Sequence, residues 1–239
     1  MGQKINPIIY RIPIIDNWRS KWFMSSHKKF SDSLRQDVLI RDWLNKSFRD
    51  AGLDRIEIER SPDQLTINIY TSKPGVVIGR GGVGIEKVKK YIKSNILKGT
   101  KFGLQINIKE LDKPQFSAAV VVSNVVADLE KRLPYRRTIK RALDQVIKAE
   151  ALGAKIEVKG RLDGREIARK ERLQFGSVPL QTIRADISYS HGNAYTTYGV
   201  IGVKAWVYRG EIFGNKVEVE KQEKNDEKMN SVNKRRPKK

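Results

Sequence analysis

The chain has 239 residues, 48 of them Lys or Arg and 27 Asp or Glu, which leaves a formal charge of +21. Such self-repulsion in a compact protein points to a polyanionic partner, and no stretch approaches the roughly 20 consecutive apolar residues that a membrane-spanning helix needs. The lack of any cysteine excludes a disulfide framework, a thiolate metal site and a cysteine nucleophile, and it suits a reducing compartment. With 39% hydrophobic residues, a chain of this length suits two modest domains.

Residues 1–31 read as an irregular N-terminal arm. Met1-Gly2-Gln3-Lys4-Ile5-Asn6 has neither the apolar run of a secretory signal nor the composition of a transit peptide, so the cytoplasm is expected. Pro7 and Pro13 break any helix there, and Trp18, Trp22 and Phe23 stand among Arg19 and Lys21. Aromatic rings among cations either stack on bases or pack back onto the domain, and packing is the expected outcome.

From Ser33 the pattern is helical, with Ile40, Trp43, Leu44 and Phe48 on one face and Gly52 as the stop. Two alternating runs follow, Ile56 with Ile58 and then Leu65, Ile67 and Ile69, joined by a turn at Ser61-Pro62-Asp63. They predict an antiparallel pair of half-buried strands, with Glu57 and Glu59 on its solvated face. After Pro74-Gly75 a short apolar helical step, Val76-Val77-Ile78, runs into Gly79-Arg80-Gly81-Gly82. A second helix carries Ile85, Val88, Ile92 and Ile96 inward and Lys87, Lys89, Lys90 and Lys93 outward, and a strand with Leu104, Ile106 and Ile108 closes the unit. The α+β order is α-β-β-α-α-β over residues 32–111.

Residues 111–115, with Pro114, mark the expected domain boundary. Residues 112–213 then predict a second α+β domain: helices over about 116–133 and 135–152, split by Pro134, on an antiparallel sheet with strands at 156–158, 184–189 and 199–208. The tail 214–239 is polar, basic at its end and expected to be disordered.

The glycine string carries the most chemistry. Residues without Cβ let phosphates reach backbone N–H groups, the helix that begins there adds its positive end, and Arg80 adds a charge. A loop of this kind beside a sheet is how KH domains clamp the backbone of about four nucleotides. Gly79, Gly81 and Gly84 also satisfy the dinucleotide fingerprint, but that reading requires a strand directly before the first glycine and an acidic ribose ligand further on. The two histidines, His27 and His191, fit no triad or metal-ligand pattern, so neither catalysis nor a cofactor is expected.

A second basic surface lies after Pro134. Ile139, Leu143, Val146 and Ile147, with Ala142 beside them, form the apolar stripe, while Arg136, Arg137, Lys140 and Arg141 cluster on the other side of the first turns. Cations at a helix N-terminus oppose the helix dipole, so something other than helix stability selects them. Arg161, Arg165, Arg169, Lys170 and Arg172 add positive charge in a glycine-containing segment.

Several strings together carry a name: Met1-Gly2-Gln3-Lys4-Ile5-Asn6-Pro7, Pro74-Gly75-Val76-Val77-Ile78-Gly79-Arg80-Gly81-Gly82, Tyr135-Arg136-Arg137 with Lys140-Arg141-Ala142, Gly160-Arg161-Leu162, Arg184-Ala185-Asp186-Ile187 and Thr196-Thr197-Tyr198-Gly199-Val200-Ile201-Gly202. From Met1 to about Phe213 the chain resembles the ribosomal protein S-three family of bacterial type. The resemblance implies a type II KH domain and a C-terminal α+β domain in the head of the small ribosomal subunit. The implied partners are small-subunit ribosomal RNA, messenger RNA, and small-subunit proteins ten and fourteen, with four and five near the mouth of the messenger channel. It places the protein on ribosomes of the cytoplasm or of an organelle, with no cofactor and no membrane. It implies RNA contact at the KH loop Gly79–Gly82 and messenger contact, with help in unwinding, at Arg136, Arg137 and Lys140, to which Arg141 is added by position. Lys87, Lys90, Arg161, Arg165 and Arg169 are further candidates for RNA. The sequence departs from the family at Asn6 and Pro13, and Gly81 leaves Arg80 as the loop's one cation.

Overall fold

The computed structural model describes residues 4–12, 14–61, 64–97 and 103–213. The expected turn at Pro62-Asp63 and the tail 214–239 lie outside the described residues.

The arm is more ordered than expected. Asn6 Oδ1 accepts from Ile8 N at 3.0 Å, and Pro7 opens a one-turn helix, α1, Pro7–Tyr10, where a missing N–H costs nothing. Arg11 follows and is fully buried. Its Nε donates to Ala185 O at 2.7 Å, Nη1 to Pro7 O at 2.8 Å, and Nη2 to Thr182 O at 2.9 Å and Leu180 O at 3.1 Å. Further on, a two-residue strand, β1, Ser20–Lys21, pairs in parallel with β2, Leu53–Arg60. The arm thus bridges from the C-terminal half of the chain to the sheet of the N-terminal half. Trp22 packs as expected, its ring 5.3 Å from that of Phe30, whereas Trp18 and Phe23 remain 64% and 86% exposed.

Helix α2, His27–Ser47, begins before Ser33, and β3, Gln64–Thr71, runs antiparallel to β2. The short helix α3, Pro74–Ile78, the glycine string and α4, Val83–Tyr91, lead to β4, Gly103–Glu110, which returns parallel to β3. A crossover of this kind is what a parallel pair requires. The sheet order is β1-β2-β3-β4, and α2 and α4 close one face over Ile40, Leu44, Ile56, Ile58, Leu65, Ile67, Ile69, Val88 and Ile92. The element order after the arm is α-β-β-α-α-β, as the periodicity predicts.

Glu57 corrects the expected solvated face. Its side chain is 12% exposed and receives Lys21 Nζ at 3.2 Å and Arg55 Nε at 3.0 Å, so the arm strand, β2 and the carboxylate form one charged cluster. A stronger pair lies nearby. Asp37 of α2 and Arg60 of β2 are 0% and 4% exposed in their side chains and meet at 2.5 Å, and Trp22 Nε1 donates to the same carboxylate at 2.8 Å.

In the C-terminal half, α5, Ala118–Glu130, and α6, Tyr135–Lys148, pack on a four-stranded antiparallel sheet. Its strands are β5, Gly153–Gly160, β6, Arg169–Gly176, β7, Ala185–Thr196, and β8, Gly199–Glu211, in the order β6-β5-β8-β7. Val121, Val125, Leu129, Ile139, Val146, Ile156, Val203 and Val207 are among the buried residues between helices and sheet. Strand β6 is absent from the sequence expectation, which predicts no strand between 158 and 184. Its string RKERLQFG opens on four charged residues and alternates only at Leu173 and Phe175, both exposed, because it is an edge strand, and charge on such an edge discourages pairing with another chain.

Candidate nucleic-acid interface

The KH loop is built by two helices that meet at an angle only glycine permits. Gly79, Gly81 and Gly82 have φ of 71°, 60° and 83°, in the region that disfavours residues with a Cβ. A Cβ at Gly81 or Gly82 would meet nothing within 4 Å, so their backbone faces open space. Gly84 has a different constraint. A Cβ there would stand 2.4 Å from Val77 O and 2.7 Å from Ile78 O, so α4 reaches α3 this closely only without a side chain. The segment before the loop is a helix, not a strand, and the dinucleotide reading therefore fails on its first requirement. Arg80, Lys87 and Lys90 are exposed, and none of them forms an ion pair among the described residues.

In the C-terminal half, α6 buries Tyr135, Thr138, Ile139, Ala142, Leu143 and Val146, and it turns Arg136, Arg137, Lys140 and Arg141 to solvent. Pro134 caps it without a side-chain hydrogen bond, so the N–H groups of the first turn are left for water or a ligand. Arg136 Nε donates to Tyr135 Oη at 3.1 Å. That bond is the first cause of a guanidinium pKa raised above its ordinary value, followed by the charges of Tyr135 and Glu171, with Asp163 adding to them. Arg141 differs from its neighbours, because it is paired with Asp128 of α5 and is partly neutralised. Arg137 and Lys140 make no ion pair among the described residues.

Arg161, Arg165 and Arg169 occupy the connection between β5 and β6. Arg161 Nε donates to Arg165 O at 3.0 Å and its Nη1 to Tyr198 O at 3.3 Å, while Arg169 opens β6 opposite Gly160. Helix α6 packs against β5 and β6, the two strands that this connection joins. Arg80, Lys87 and Lys90 form a second face in the other half of the chain. The predicted residues thus fall into two groups.

Some other cations are paired within the protein. Clefts of about 440 and 500 Å³ lie between the two halves and include Lys21, Arg49 and Arg55 in their walls. Lys21 and Arg55 are tied to Glu57, and Arg49 to Glu130 at 2.7 Å. These pairs spend the positive charge internally, whereas the α6 face leaves it for an external anion. Among the described residues, no group of three or more His, Asp or Glu side chains is placed to hold a metal ion, and no helix is long and apolar enough to cross a membrane.

A glycine-loop α-β-β-α-α-β unit joined to a basic α+β domain is the architecture of an RNA-binding protein of the KH class. Comparison with known proteins agrees. Residues 39–116 match the family model described as KH domain, and residues 125–207 match that described as Ribosomal protein S3, C-terminal domain. Small ribosomal subunit protein uS3 of Clostridium perfringens is 44% identical over 225 residues, covering 94% of this chain and 100% of the relative. Those of Lysinibacillus sphaericus and Wigglesworthia glossinidia brevipalpis are 43% and 46% identical over 92% and 90% of this chain, and 99% and 89% of their own lengths. The chain belongs to the uS3 family of small ribosomal subunit proteins, which are structural proteins of the ribosome and not enzymes.

Proposed function

We propose that the protein binds small-subunit ribosomal RNA in the head of the subunit and contacts messenger RNA at the mouth of its channel, helping structured messengers to open. The observation that carries this reading is the α6 face: Arg136, Arg137 and Lys140 are exposed, form no ion pair among the described residues and stand at a helix N-terminus where they cost helix stability, on a helix packed against β6. The KH loop Gly79–Gly82, with Arg80, Lys87 and Lys90, serves as a second RNA contact on the other half. Proteins ten and fourteen are the proposed neighbours in the head, and four and five those near the channel. The division at residues 111–115 separates the two contacts, the arm 1–31 spans them, and the ribosome is the proposed location.

Unwinding of this kind needs no reaction from the protein. A messenger drawn through the channel frays at its leading base pair, and a surface that holds the opened strand shifts that equilibrium by its differential affinity for the opened form. Each base-pair step is worth on the order of 1.4 kcal/mol, so a few fixed contacts suffice to bias it.

The reading is tested by titrating the purified chain with small-subunit RNA at several salt concentrations. Affinity should fall by roughly 0.7 to 0.9 log units per log unit of salt for each phosphate neutralised, with at least about five phosphates engaged. Replacement of Arg80 and Gly81 together by aspartate should weaken binding at the KH face at the cost of a small drop in melting temperature, since a Cβ at Gly81 meets nothing within 4 Å but the φ of 60° strains any residue other than glycine by about 1 kcal/mol. A flat salt dependence would show that charge is not the binding device, and unfolding of the double variant would make the loop a structural turn only.

A further inference from the structure

Phosphate contacts by themselves do not favour an opened strand, because a duplex presents the same phosphate groups at a higher charge density. The unwinding proposed above, on which this inference rests, therefore needs a group that discriminates in favour of unpaired nucleotides. The tip of the β7–β8 hairpin offers one. Thr197 and Tyr198 form its two-residue turn between the paired residues Thr196 and Gly199. Tyr198 is 57% exposed, and it makes no ring pair among the described residues.

The ring is nevertheless held. Gly164 of the β5–β6 turn has φ of +76°, and a Cβ built on it would lie 3.1, 3.2 and 3.3 Å from Cε2, Cζ and Cδ2 of Tyr198. Near-equal distances to three successive ring atoms mean approach over the face, since an edge-on approach would set the two flanking atoms markedly farther than the central one. One face of the ring is therefore turned toward Gly164, and with the residue 57% exposed the other face is the one left for a ligand. Arg161, donating to Tyr198 O at 3.3 Å and to Arg165 O at 3.0 Å, pins the tip to the same turn. A ring fixed in advance loses little freedom when a ligand covers it. Arg161, Arg165 and Arg169, on the same turn and at the start of β6, are exposed and without ion pairs among the described residues, and α6 packs against β6.

We propose that the open face of Tyr198 is a stacking platform for an unpaired base of single-stranded RNA, with the arginines of the β5–β6 turn and of α6 holding the flanking phosphates. Every base has a π face, so the platform tolerates sequence, which a surface over which any messenger passes requires. A duplex keeps its bases inside the stack and gains only the phosphate contacts. The ring supplies the preference for opened strand that the cations alone lack.

The test uses the full chain and fluorescence anisotropy with an unstructured single-stranded RNA of on the order of ten nucleotides and a blunt duplex of the same length. Tyr198→Leu keeps an apolar side chain and removes the π face; Tyr198→Phe keeps the face and removes the hydroxyl. The expected result is an approximately tenfold loss of single-strand affinity in Tyr198→Leu, no loss in Tyr198→Phe, duplex affinity unchanged in both, and an unchanged salt slope because stacking releases no counterions. Unchanged single-strand affinity in Tyr198→Leu overturns the proposal. So does an equal loss on single strand and duplex, which would make the ring a packing element, and so does a Tyr198→Phe that behaves like Tyr198→Leu. The triple alanine variant at Arg136, Arg137 and Lys140 separates the two readings: it should weaken both RNAs, and if it weakens neither while Tyr198→Leu is selective, the α6 contact fails in both readings and the stacking face stands with the β5–β6 arginines alone beside it.

Discussion

Changing Arg136, Arg137 and Lys140 together to alanine is expected to spare the fold and to slow translation severalfold on messengers with a stable hairpin, while unstructured messengers are translated at nearly the normal rate. All three side chains are exposed and lie off the stripe of Ile139, Leu143 and Val146 that α6 buries. Alanine is the better helix former, and the change removes like charges from the positive end of the dipole, so the melting temperature should hold or rise slightly. RNA binding should lose about 0.7 of salt slope for each phosphate no longer neutralised. The quantity to measure is the ratio of rates on structured and unstructured messengers, variant against wild type. An unchanged ratio in assembled ribosomes sinks the unwinding role, and failure to assemble reassigns the cluster to ribosomal RNA.

Asp37→Ala is expected to be the most damaging single change in the KH half, at about 3–5 kcal/mol of unfolding free energy. The substitution leaves Arg60, whose side chain is 4% exposed, with Gln36 Oε1 at 2.9 Å and Ser33 O at 3.1 Å but without a countercharge. It also removes the acceptor of Trp22 Nε1 and of Ser20 Oγ, at 2.8 and 3.2 Å. Both donors lie in or beside β1, so the arm strand should loosen from β2 at the same time. Replacing Arg60 by leucine in the same chain should recover part of the loss, because an apolar pair carries no buried unpaired charge. Denaturant unfolding measures both, and a loss below about 1 kcal/mol in Asp37→Ala would show that water reaches the pair and that the arm is held by other contacts.

The elements that carry function were legible because they are local. The stripes of α2, α4 and α6 and the alternation of β2, β3 and β4 recur at fixed spacing, and Gly79 to Gly82 needs positive φ wherever it occurs. The arm was not legible for the opposite reason. Arg11 reads as one more cation in an irregular segment, and its acceptors include carbonyls of Leu180, Thr182 and Ala185, which no local pattern connects to it. Glu57 follows the period of a solvated strand face and is claimed by a lysine that only the fold brings near. Strand β6 was missed because an edge strand buries too little to show alternation. Within the site, the separation of Arg141 from Arg137 and Lys140 rests on Asp128, which lies on the neighbouring helix. Tyr198 stands in the string that carries the family resemblance, but its approach to Gly164 joins two turns that no local pattern connects.

The α6 face is tested most directly in translating ribosomes by a photoreactive uridine placed in the messenger downstream of the decoding site. With Arg136, Arg137 and Lys140 gripping the incoming strand, the crosslink on this chain should map to the peptide that begins α6 and to the β5–β6 turn beside it. Crosslinks that reach other proteins of the channel but leave this peptide unmarked, with α6 instead joined to ribosomal RNA, would contradict the assignment of the face to the messenger.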